Sequence, residues 1–178
     1  MTNQKNIRIM LTKKEVAKRH FIEAEILFFE KRDPIAIHHL IHAAHEILSK
    51  ITKKNILLND LYLTELGKKF AKPAFVKAKN FIKHADKDRD ESFFFNPNIN
   101  VILLLDCAYM LYDVYGDDFF PGKTYILWCA ATEPALFKDS FLIEVDKAKQ
   151  VGFDPNDSNT IVTSLKYWVQ IKKNEELK

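Results

Sequence analysis

Along most of this 178-residue chain, apolar positions recur every three or four residues, the spacing of helix faces. In LTKKEV, Thr12 and Glu15 have capping-box spacing, and Leu11 and Val16 flank them at hydrophobic-staple positions. Ala17, Phe21, Ala24, Leu27 and Phe28 continue the pattern, so a first helix is predicted from the Thr12 cap to near Lys31. Asp33 and Pro34 then supply a cap and a first residue for a second helix. Its stripe is Ile37, Leu40, Ile41, Ala44, Ile47, Leu48 and Ile51. A short turn between two such helices predicts an antiparallel hairpin.

Shorter helices are predicted over LNDLYLTELGKKF and KPAFVKAKNFIKHA, the second opened by Pro73. A charged run, 86–91, and three phenylalanines, 93–95, follow. The phenylalanines predict a short extended piece with at least one ring outward, because consecutive side chains alternate in direction. NPNINVILLLDCAYMLYDVYG predicts the central helix. Asn96 or Asn98 caps it, Pro97 opens it, Gly116 stops it, and its apolar residues run nearly all round. Helices are then predicted at about 123–132, 135–150 and 159–173, with a turn at 152–158 and a frayed tail, KKNEELK.

Composition agrees with helix. Only 4 glycines occur, and 47% of residues are apolar, which predicts a single all-α domain over 1–178. The net charge of +3 is not the footprint of a dedicated nucleic-acid binder, and no DNA-binding signature is present. Cys107 and Cys129 lie in apolar segments without CxxC spacing and read as buried thiols. The first residues lack the apolar core of a signal peptide. The longest apolar run contains Asp106 and Asp113 and falls short of the roughly 20 residues of a membrane span. A cytoplasmic protein without membrane attachment is the expectation.

Three clusters carry candidate chemistry. His38, His42 and His45 stand at i, i+4 and i+7 on one helix face, a spacing able to offer imidazoles to a divalent metal. No HExxH pattern accompanies them, so a full site would need a further donor such as His84 or Asp86. The apolar stripe runs beside this face, so the first reading of these histidines is a helix–helix boundary. Asp86, Asp88 and Asp90 have the first spacings of a calcium loop, but Glu91 replaces its glycine and Pro97 its terminal glutamate, so a charged turn is expected. In KNFIKHA, Asn80 and His84 share a face flanked by Lys79 and Lys83. That set could hold a phosphate and a general base, but on local chemistry alone a capped helix C-terminus is the first reading.

A long hairpin, then a shorter helix with a basic residue, a polar residue and a histidine five positions after the basic one, resembles the HEPN group of all-α domains. The matching residues are Lys79, Asn80 and His84, and the KNFIKHADKD stretch is similar to an NFFKHADRD segment of uncharacterised bacterial proteins. The resemblance spans about 12–116 and leaves about 121–173 as additional C-terminal helices. It implies an HEPN-like bundle acting as a homodimer, with RNA or protein as partner. Catalytic HEPN domains are metal-independent endoribonucleases. On that pattern His84 would move the ribose 2′-hydroxyl proton, Lys79 would hold the scissile phosphate and Asn80 would orient one of them. Lysine lacks the planar fork of arginine, which points towards HEPN-like domains that dimerise and bind without catalysis. The expectation is therefore a dimerising interaction module, with a toxin-like endoribonuclease and a metal-binding protein as alternatives.

Overall fold

The structure, a computed structural model, describes residues 10–52, 92 and 94–176. Among them lie six α-helices and no β-strand: α1 Lys13–Phe29, α2 Pro34–Thr52, α3 Asn98–Tyr115, α4 Phe120–Thr132, α5 Asp139–Gln150 and α6 Ser158–Glu176. The fold is an all-α bundle, as the periodicity implied. The helices expected between Leu58 and Ala85, with Lys79, Asn80 and His84, lie outside the described residues.

Local signals place the first two helices. Thr12 Oγ1 accepts from the Glu15 backbone N–H at 3.2 Å, and Glu15 Oε2 accepts from the Thr12 N–H at 2.7 Å. That reciprocal pair closes the first turn of α1. α1 stops two residues before the expected end. Lys31 takes a left-handed φ of 55°, and the Lys31 and Arg32 N–H groups bond back to Phe28 and Leu27. This is a Schellman closure with lysine where glycine is usual. Asp33 Oδ1 then accepts from the Ile35 and Ala36 N–H groups, capping α2 behind Pro34.

α3 is the buried centre. α2 packs against one side of it and α4 against another, while α6 returns to lie on α1. One apolar cluster draws residues from all six helices, including Phe21, Ile41, Leu104, Tyr125, Val145 and Leu165. With its short extension, α3 is long and apolar enough to cross a membrane by length and composition alone, which the interrupted run in the sequence did not suggest. Its contacts with α2 and α4 bury 56% of that apolar window. Gly122 lets α4 come close: a Cβ there would lie 2.8 Å from the Phe119 ring and 3.2 Å from the Ala108 carbonyl.

Three differences from the sequence expectations have physical causes. The predicted helix over 135–150 breaks into a 3-10 turn, Pro134–Leu136, and α5. Phe137 between them is extended and buried, and its ring stacks on Phe141 at 5.7 Å. Burying that ring outweighs one more helical turn. The tail expected to fray is helical as far as Glu176, supported by a Lys172–Glu175 pair at 2.8 Å. Of the three phenylalanines, Phe94 is fully exposed, while Phe95 turns in against His38 at 5.2 Å without forming a strand.

Candidate functional site

The histidine face of α2 meets α3. His38 and His45 stand seven residues apart on α2, and Asn100 and Asp106 stand six apart on α3, so both contacts fall along one seam. His38 Nδ1 lies 2.9 Å from Asn100 Oδ1, and Asn100 Nδ2 donates to the Pro34 carbonyl at 2.8 Å. The second bond fixes the amide orientation, leaving Oδ1 as the acceptor facing His38. His38 Nδ1 must then carry the ring proton. Burial holds the imidazole below its usual range, against the opposing pull of the Asn100 bond, so the ring is kept neutral. Its Nε2 keeps a bare lone pair, buried and without a hydrogen-bond partner among the described residues.

Further along the seam, His45 Nε2 lies 2.7 Å from Asp106 Oδ2. The carboxylate is buried, and the imidazole retains about a quarter of its exposure. His42 lies between them, its ring 5.9 Å from that of His38. His39 points outward. The i, i+4, i+7 histidines therefore do share a face, and that face packs on α3. Among the described residues, no group of three His, Cys, Asp or Glu side chains is placed to share a metal ion. His84 and Asp86 lie outside the described residues, as does the Lys79, Asn80 and His84 set.

Cys107 and Cys129 are free and buried, as expected. Cys107 Sγ points to the Ile41 carbonyl at 3.7 Å, and burial raises both thiols far from nucleophilic ionisation.

One buried group escaped the sequence reading. Glu25 on α1 is fully buried, and neither carboxylate oxygen has a hydrogen-bond partner among the described residues. Burial raises its pKa well above the carboxylate range. A charge there would oppose ionisation of Tyr125 and Cys129 on α4, which places it against that helix. A signal was present in the sequence: Glu25 lies four residues after Phe21 and four before Phe29, in the middle of the apolar stripe. No family model, no curated protein and no solved structure matches the chain.

Proposed function

We propose that this chain is an HEPN-like helical module that dimerises and binds a partner, RNA or protein, in the cytoplasm, without catalysis of its own. The observation that carries the reading is the α2–α3 seam. The imidazole nitrogens that reach α3 are bonded to Asn100 and Asp106, so these groups hold the hairpin to the central helix. A packing role is enough to explain why α2 is rich in histidine. The resemblance carried by Lys79, Asn80 and His84 supplies the family, and lysine in place of arginine supplies the non-catalytic character. Light scattering at high concentration should return a dimer, and a strict monomer would remove the dimer from the proposal. A mixed RNA substrate should survive hours with the protein in EDTA. Cleavage that disappears in His84→Ala would replace this reading with the endoribonuclease.

A metal-binding reading has one observation in its favour. His38 pairs a donating Nδ1, held by a side-chain carbonyl, with a bare Nε2, the arrangement of a metal-ligating histidine. A complete ligand set would need donors beyond those described. Protein purified without a histidine tag should then carry stoichiometric zinc or nickel that His38→Ala loses. Metal-free protein that gains no thermal stability from either ion would end that reading.

A further inference from the structure

A cleft of about 710 Å³ opens between α4, α5, α6 and the loop at 151–157. Its size falls within the roughly 300–1,000 Å³ of small-molecule sites. Leu127, Phe153 and Ile161 give it an apolar floor from three different elements, and the exposed Phe120 ring lines it as well. Around that floor stand four carboxylates, Asp117, Glu144, Asp154 and Asp157, and two ammonium groups, Lys123 and Lys147. Four negative against two positive charges leave the lining at −2, although the chain as a whole carries +3. One of the two ammonium groups is already engaged, since Lys147 pairs with Glu144 at 2.7 Å.

The cleft is built rather than left over. Trp128 Nε1 donates to the Pro155 carbonyl at 3.1 Å, tying the loop to α4. The Phe153 N–H closes the end of α5 on the Ala148 carbonyl at 3.0 Å, which fixes the backbone that carries this lining residue. Asp154 and Asp157 are held in turn by the Asn156 and Thr160 N–H groups, so both carboxylates have fixed positions at the rim.

We propose that this cleft binds a small organic cation, an ammonium group on an aromatic or aliphatic body. The body would cover the apolar floor, and the ammonium would meet the acidic rim and the faces of Phe120 and Phe153. An anion of the same shape would face a net repulsive lining. The proposal stands apart from the dimer and from the α2–α3 seam.

The test is calorimetric titration of the full chain with 2-phenylethylammonium, and with 3-phenylpropionate as an anion of similar shape. The cation should saturate one site and bind at least tenfold more tightly than the anion, with affinity falling as salt is raised. Glu144→Gln combined with Asp154→Asn keeps both acceptors and removes two charges. It should weaken cation binding at least fivefold without moving Tm. Ala148→Phe should fill the cleft and abolish binding. No saturable binding of the cation, equal binding of the two probes, or unaltered binding in the charge-neutral double variant overturns the proposal. Should Ala148→Phe fail to fold, the double variant still decides.

Discussion

Two polar insertions in the helical packing make opposite use of burial. Along the α2–α3 seam, His38 faces Asn100 and His45 faces Asp106, so polar groups on one helix answer those on the other. Glu25 is buried as deeply on α1, but its oxygens have no hydrogen-bond partner among the described residues, and aromatic residues of α1 and α4 crowd the same region. The seam fixes how α2 sits on α3, because sliding either helix by one residue would break both contacts. Glu25 fixes nothing comparable. It remains in the core only by staying protonated. Partners, rather than depth, set the energetic sign of a buried polar group.

The largest effect expected from this contrast is at Glu25. Burial raises its folded-state pKa, so the folded chain keeps a proton that the unfolded chain releases. The Glu25 contribution is therefore fully present below the unfolded carboxyl's pKa of about 4.3, and it falls by about 1.4 kcal/mol per pH unit above that until the folded group ionises. Glu25→Met lacks this loss. It should stabilise the protein near pH 7 by about 3 kcal/mol, with the advantage growing as pH rises. Urea unfolding of both proteins between pH 5 and 8 measures it, and a difference that stays flat would mean that Glu25 is solvated and charged.

The seam should respond in the opposite direction. Asp106→Ala removes a buried carboxylate from His45 and leaves a small cavity, and it should lower unfolding free energy by about 2–3 kcal/mol. A cost below about 0.5 kcal/mol in denaturant titration would show that water replaces the carboxylate, and the contrast with Glu25 would fail.

The smallest effect tests the same question of local compatibility at two turns. The chain leaves α1 through Lys31-Arg32-Asp33-Pro34 and leaves α5 through Gly152-Phe153-Asp154-Pro155. Both helices end in the same pair of back-bonds, with Lys31 at φ 55° and Gly152 at φ 99°. The space beside Gly152 is open, so only its backbone angle disfavours a side chain. Lys31→Gly should raise Tm by relieving about 1 kcal/mol, and Gly152→Ala should lower it by a similar amount. Equal Tm for Lys31→Gly and wild type would mean that the lysine side chain repays its backbone strain through a contact of its own.

Much of the fold was legible in the sequence. The Thr12–Glu15 box, the Asp33-Pro34 start and the Gly116 stop are short-range signals, and each marks the helix end it was expected to mark. The apolar run of α3 announced the buried centre. The break at Phe137 was hidden, because the helical spacing on either side is good and only the position of the core makes turning that ring inward worthwhile. The histidine face was visible as a face, but its neighbours were not. Nothing in HHLIHAAHE tells a metal site from a packing seam, since the deciding residues, Asn100 and Asp106, lie 62 and 61 residues away in sequence.

The sequence by itself determined where most helices begin and end and which side of each is apolar, because caps and periodicity act within a few residues. Only the tertiary structure decided which polar groups on those sides would meet. It gave His38 and His45 their partners, left Glu25 without one, and gathered four carboxylates around an apolar floor between α4, α5 and α6. Those outcomes depend on how the helices lie against one another, which follows from the packing of the whole core rather than from the spacing within any one helix.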